Sequence, residues 1–278
     1  MIWSMPCGAY TVYAIEDGWF YREPLEMFPE SEPDLWDRHP EWLEDGKLRI
    51  SLGCFLVVGG SHPVLIDAGA GGRPGLPPGT ESGRLPEALA MLGVSPADIR
   101  MVIHTHLHLD HCGGDRTLDG TPAFPNARFV LQEAEVDYWL GAEGAAPDAV
   151  REVMMGFITG DRIDVVDGER EILPGLIVEP TPGHTPGHQS VTVASLGTRT
   201  FITGDVTHHP AQVPDPSWGV PFDVDPSRAR ATRERVFERL AGTGTAMAAG
   251  HYPRPGMGYV EVDDGVRIFV RGTALQEA

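Results

Sequence analysis

The sequence predicts an α/β fold in which two β-sheets pack as a sandwich, within one domain spanning residues 1–278. Three observations lead there. Short β-branched runs alternate with helical patches in both halves of the chain. No linker, repeat or change of composition separates those halves, which argues against two domains. The 278 residues are 41% hydrophobic, enough for a sizeable core.

Along the chain, residues 9–15 read as a strand that ends at an Asp17-Gly18 turn. Residues 19–46 form an irregular, aromatic-rich segment with Trp19, Phe20, Tyr21, Phe28, Trp36 and Trp42. Three roles suit it: a substrate-pocket wall, cover for a homodimer interface, or packing on the core. Strands return at 50–58 and 63–67 around a Gly59-Gly60 turn, then lead into the turn-rich AGAGG. Residues 84–92 carry apolar positions at helical spacing before a strand at 101–104. Further strands are expected at 128–132, 163–166, 176–179, 189–194, 200–203, 247–249 and 266–270, with helices at 133–140, 148–159 and 228–240. The last helix is the clearest, with Val236 and Leu240 on one face and charges on the other. The Pro-rich loop 210–222 offers Trp218 and Phe222 either to an acyl or aryl group or to the core.

Net charge of −19 argues against nucleic acid or anionic membrane as partner. Three scattered cysteines, Cys7, Cys54 and Cys112, show no C-x-x-C spacing and suit a reducing compartment. The N-terminal stretch lacks a basic n-region and an apolar h-region, and no run approaches the length of a membrane span. A cytoplasmic location is the expectation.

The chemistry concentrates in MVIHTHLHLDHCGGD, residues 101–115. An apolar strand would deliver His106 and His108 to the same face, two residues apart. Asp110 and His111 follow before the Gly113-Gly114 turn. Imidazole and carboxylate are donors that a zinc-like ion takes, and four of them within six residues is hard to explain otherwise. Such a cluster needs more ligands from elsewhere. His184 in TPGHTPGH, Asp205 at the end of FITGD and His251 in AAGHYP each follow a short apolar run, which would bring them to one sheet edge.

This ordered set of five histidines and two aspartates resembles the complete ligand set of the metallo-β-lactamase superfamily. The resemblance implies a four-layer αββα sandwich with two metal ions at the edge of the sheets. It implies that His106, His108 and His184 hold one ion, that Asp110, His111 and His251 hold the other, and that Asp205 bridges them. Asp67 in LIDAG matches a buried aspartate that orients a metal-bound imidazole. His188 matches a structural histidine, His104 is expected to be buried behind the ligands, and Cys112 to be a packing residue at a helix start.

Two bound ions imply hydrolysis by a bridging hydroxide, because coordination lowers the pKa of water from about 15.7 to about 7. Asp110 would then relay a proton from nucleophile to leaving group. Zinc suits these donors best, and manganese, iron, cobalt or nickel are compatible with them.

TPGHTPGHQS resembles the N-acyl-homoserine lactone lactonases. Those carry a tyrosine three residues after the bridging aspartate; here that place holds His208, which points away from quorum-signal lactones. His208 and the following HPAQV are more like the methyl-parathion hydrolase branch, which cleaves phosphotriesters. The expectation is a dinuclear metallohydrolase that opens a small carboxylic ester or lactone, with His208 assisting; the alternative is a phosphotriester hydrolase. A glutathione thioesterase would need a C-terminal helical domain after His251, and an RNA-processing relative would need a basic arm. A diiron oxygen reductase would replace His108 by glutamate, and a mononuclear dioxygenase would not require Asp110, His111 and His251 together. A metal-stabilised binding protein is the non-catalytic alternative, and the complete ligand set counts against it.

Overall fold

The computed structural model describes residues 2–141, 144–272 and 276–277. Apolar and β-branched runs in its first half build strands β1 (Ile2–Cys7), β2 (Tyr10–Arg22), β3 (Leu43–Glu44), β4 (Lys47–Val58), β5 (Val64–Ile66), β6 (Met101–Ile103), β7 (Arg128–Gln132) and β8 (Ile163–Val166). The second half adds β9 (Arg170–Leu173), β10 (Leu176–Pro180), β11 (Gln189–Ser195), β12 (Thr198–Ile202), β13 (Ala246–Ala248), β14 (Met257–Asp263), β15 (Val266–Arg271) and β16 (Gln276–Glu277). One sheet runs β16-β1-β2-β4-β5-β6-β7-β8, with β3 beside β4, and the other runs β15-β14-β13-β12-β11-β10-β9. Strands β5 to β8 pair in parallel, so β6 and β7 are short apolar runs covered on both faces.

Alternation along β7 shows how the layers form. Val130 faces inward with Phe55, Ile66 and Ile103, against Val178, Val191, Val193 and Ile202 of the second sheet. Phe129 and Leu131 face outward onto helices over Leu85–Met91, Glu133–Leu140 and Asp148–Thr159, among them Leu89, Trp139, Val153 and Phe157. On the far side, Val236, Phe237 and Leu240 of a helix over Pro226–Leu240 cover Phe201, Met247 and Val260. Each such buried side chain stabilises the fold by about 1.5–3 kcal/mol. Helix, sheet, sheet, helix is the expected αββα order. The covering helix starts where the Asp225 carboxylate accepts a hydrogen bond from Arg228 N at 3.0 Å, with Pro226 in its first turn.

Four local expectations are corrected. Asp17-Gly18 is not a turn: β2 runs through it as a bulge. The cause is tertiary, because the buried Asp17 carboxylate accepts hydrogen bonds from the backbone of Ala70, Gly71, Gly83 and Leu85. Strands β1, β3, β9, β14 and β16 have no counterpart among the sequence expectations; β1 carries Pro6 and lacks a clean alternating run. Residues 19–46 are not irregular throughout: β2 extends to Arg22, and short helices cover Pro24–Met27 and Pro33–Arg38. Their Met27, Phe28 and Trp36 form a cluster with Trp218 and Ile50. Lastly, β6 stops at Ile103, so His106 and His108 stand on a loop and strand parity does not orient them.

Candidate metal centre

Both sheets send chain ends to the same edge. Beyond β6 come His106, His108, Asp110 and His111, the last two on a single helical turn over Leu109–Cys112. The turn after β10 carries His184, the turn after β12 carries Asp205, and the chain beyond β13 carries His251. Gly204 makes the β12 turn possible. Its φ is +55°, and a Cβ there would come within 2.6 Å of His188 Nε2.

The seven predicted ligands meet here. His108 Nδ1 lies 2.9 Å from His106 Nε2 and 3.0 Å from His184 Nε2. Asp205 Oδ2 is 3.7 Å from His106 Nε2 and 3.2 Å from His184 Nε2, which closes a group of four donors. Asp110, His111 and His251 form a second group, with Asp110 Oδ2 at 3.8 Å and 3.7 Å from the two Nε2 atoms. The Asp205 carboxylate faces both, with Oδ1 3.4 Å from His111 Nε2 and Oδ2 3.1 Å from His251 Nε2.

The imidazoles are aimed from behind. His111 Nδ1 donates to Asp67 Oδ2 at 2.9 Å, His184 Nδ1 to Asp223 Oδ1 at 2.8 Å, and His251 Nδ1 to the Ser51 carbonyl at 2.6 Å. His106 Nδ1 meets Thr105 Oγ1 at 3.0 Å, and that hydroxyl donates to Asp67 Oδ2. This is the outer shell that metal-bound histidines use to hold tautomer and direction. Asp67 adopts φ +58°, which aspartate tolerates better than most residues. His188 serves the backbone instead: its Nε2 accepts from Asp205 N at 2.9 Å. His104 is fully buried and donates to Asp115 Oδ2 at 2.7 Å. Cys112 is a buried packing residue, last of the Leu109–Cys112 turn and cap of the short helix that starts at Gly113.

Donor chemistry and electrostatics both fit divalent cations. His111 Nε2 and Asp205 Oδ1 are buried without a hydrogen-bond partner, although they face one another across the site. Burial holds His106 well below the ordinary imidazole range and His108 down to about 3, leaving both in the neutral, ligating form. Against the same desolvation, Asp205 and Asp223 lift His184 to about 9. Desolvation would raise Asp205, but the surrounding histidines hold it well below the usual carboxylate range. These carboxylates require positive charge next to them, which is what metal ions supply.

Three residues of this assembly escaped the sequence reading. Glu135 is completely buried. Its Oε1 accepts from Leu107 N and Trp139 Nε1, and its Oε2 from Thr185 Oγ1 and Gly187 N, which ties the His106–His108 loop to the His184 turn. Asp223, behind His184, lies 3.5 Å from Arg233 Nη2 of the covering helix. Arg233 is itself buried and donates to the carbonyls of Val206, Pro216 and Trp218. A charged residue on the buried face of an amphipathic helix was the available signal.

His208 is fully buried beside the ligands, with Nε2 3.3 Å from Asp205 Oδ2 and its ring stacked on His251 at 5.2 Å. Asp205, His208 and His251 form a third group of donors close enough to share an ion. Neither ring nitrogen of His208 has a hydrogen-bond partner, unlike the four imidazoles held through Nδ1. A cavity of about 240 Å³ opens beside these donors, walled by Phe20, Met27, Ile50, Leu76 and Phe222, with Arg22 at its side. Phe222 therefore takes the pocket role; Trp218 takes the packing role, tilted against Phe28 and Trp36.

Comparison with known proteins agrees with this geometry. The profile of the Metallo-beta-lactamase superfamily matches residues 54–251. The N-acyl homoserine lactonase AiiA of Bacillus thuringiensis subsp. kurstaki is 28% identical over 227 residues, covering 75% of this chain and 84% of the relative. The crystal structure of the hydrolase AbOPH of the β-lactamase superfamily superposes with a TM-score of 0.87 at 26% identity, covering 98% of this chain and 97% of that one. AidC, a dizinc quorum-quenching lactonase, shares the fold with a TM-score of 0.84 at 22% identity, covering 97% of both chains. With its ligand set, its αββα layers and this match, the chain belongs to the metallo-β-lactamase superfamily.

Proposed function

We propose that this chain is a dinuclear metallohydrolase that cleaves a small carboxylic ester or lactone. The observation that carries the reading is the convergence of two histidine-rich donor groups on the single carboxylate of Asp205. His106, His108 and His184 would hold one ion and Asp110, His111 and His251 the other, with Asp205 between them. Two divalent ions, zinc being the best match to imidazole and carboxylate donors, would supply hydroxide at neutral pH and polarise the scissile carbonyl.

The chain's own residues do the rest. Asp110 makes no hydrogen bond among the described residues and its side chain is 17% exposed to the cavity. Its carboxylate can hold a proton and hand it to the departing oxygen. His208, with both ring nitrogens unclaimed, offers an N–H to the substrate carbonyl. Phe20, Ile50 and Phe222 exclude water and seat the acyl group. The N-acyl homoserine lactonases among its relatives support lactone opening. We place it in the cytoplasm, on three buried free thiols. Among the described residues no helix is long and apolar enough to cross a membrane. One domain with two sheets sharing a core suits a small-molecule substrate.

The test is a panel of lactones, aryl esters and phosphotriesters with zinc-reconstituted protein and metal analysis. Two equivalents of metal with ester or lactone turnover support the reading. Turnover of phosphotriesters alone would reassign the substrate, and tight binding without turnover would make the chain a binding protein. His208→Ala is expected to lower kcat by about 10²-fold while both ions stay bound. Unchanged turnover would remove His208 from the mechanism, and loss of one metal equivalent would make it a ligand.

A further inference from the structure

The cavity beside the metal donors is apolar on most of its wall, yet it contains one cation. Among the described residues, Arg22 is the only lysine or arginine that lines it. Its side chain is 36% exposed and makes no hydrogen bond among the described residues. The nearest carboxylate, Glu26, stands 3.9 Å away and is 63% exposed, a separation at which an exposed ion pair holds little. The guanidinium leans over the Phe20 ring, 5.8 Å from its centroid, so the pocket wall itself keeps it at the cavity. Other arginines near the site differ. Arg49 is bonded to Glu16 at 2.6 Å and Arg233 to three carbonyls, so neither has a fork to offer.

Size adds a second constraint. At about 240 Å³ the cavity falls below the range usual for drug-sized ligands, about 300–1,000 Å³. Arg22 borders the same small cavity as Asp205 and His208, so a short substrate seated with its scissile carbonyl at those two residues extends into a space that Arg22 lines. The chain as a whole is strongly acidic, with net charge −19, so a guanidinium on the pocket wall whose one ion pair is long and exposed favours an anion there against the overall field.

We infer that Arg22 is a specificity-determining residue, and that the preferred substrate is a short-chain ester or lactone with a carboxylate at the end remote from the scissile bond. The inference rests on the hydrolase reading and narrows its substrate class. Arg22 takes no part in bond breaking. It holds the remote carboxylate through a bidentate contact while Phe20 and Phe222 cover the methylenes between.

Mono-4-nitrophenyl glutarate and 4-nitrophenyl pentanoate have acyl chains of the same length and differ in the remote carboxylate. Wild-type zinc protein is expected to show the lower KM for the glutarate, and Arg22→Met to reduce that preference about tenfold, as loss of one partly exposed charge-assisted contact would. Arg22→Lys should recover part of it. Calorimetry with the mono-anilide of glutaric acid, which keeps the carboxylate and replaces the ester, reads binding without turnover and should show the same loss in Arg22→Met. An unchanged KM ratio together with unchanged anilide binding would overturn the inference while leaving the hydrolase intact. Absence of hydrolysis of either ester by wild-type protein carrying two zinc ions would instead bring down the hydrolase reading, and this inference with it.

Discussion

Asp205→Ala is expected to lower kcat/KM by at least about 10³-fold, some 4 kcal/mol of lost transition-state stabilisation, and to reduce bound zinc from two equivalents to one or fewer. Among the described residues, Asp205 is the only carboxylate that faces both donor groups, with Oδ1 toward His111 and Oδ2 toward His106, His184 and His251. Its backbone is pinned by His188 and its turn by Gly204, so the side chain has little freedom to be replaced by a neighbour. Without it, His106, His108 and His184 lose the only carboxylate of their donor group, and two bound cations would have no shared anion to offset their repulsion. Metal analysis after dialysis, steady-state kinetics and far-UV circular dichroism of the same preparation test this. A folded variant that retains two zinc ions and ordinary turnover would show that Asp205 is not the bridge.

Arg233→Leu is expected to destabilise the protein by about 3–5 kcal/mol, the cost of breaking a buried charge network by removing one partner. Three carbonyls in the 206–218 loop and the Asp223 carboxylate would lose a donor inside the fold. The effect should reach the metal site through Asp223, which orients His184. Asp223→Asn separates the two consequences. It keeps the shape and a hydrogen-bond acceptor for His184 while removing the charge, so stability should fall less and zinc affinity by about 10–100-fold. Urea titrations of metal-free protein and calorimetric zinc titrations measure each arm. Equal zinc affinity in Asp223→Asn and wild type would reduce Asp223 to a packing residue.

The ligands were legible because metal chemistry writes itself in rare residue types at short spacing. His106, His108, Asp110 and His111 lie within six positions, and His184, Asp205 and His251 each mark the end of an apolar run. The residues that aim them were not legible. Asp223 lies 39 positions from His184, and Glu135 lies 50 from Thr185, with nothing in the local pattern to pair them. Glu135 reads as an ordinary helix-start carboxylate, and Arg233 is marked only by sharing the helix face of Val236 and Leu240, which does not reveal its partners. Asp17-Gly18 read as a turn because local propensity favours one, and four distant backbone amides hold it in a bulge instead.

By itself the sequence determined the layers and the donor inventory, because hydrophobic periodicity and ligand chemistry are properties of neighbouring residues. Only the tertiary structure decided which imidazole nitrogen faces the site, since that depends on Asp67, Asp223 and the Ser51 carbonyl behind each ring. It also decided that Phe222 and Arg22 share one small cavity while Trp218 does not. The reason is physical: buried polar groups must find partners, and which partners lie within about 3 Å is settled by packing of distant segments and not by order along the chain.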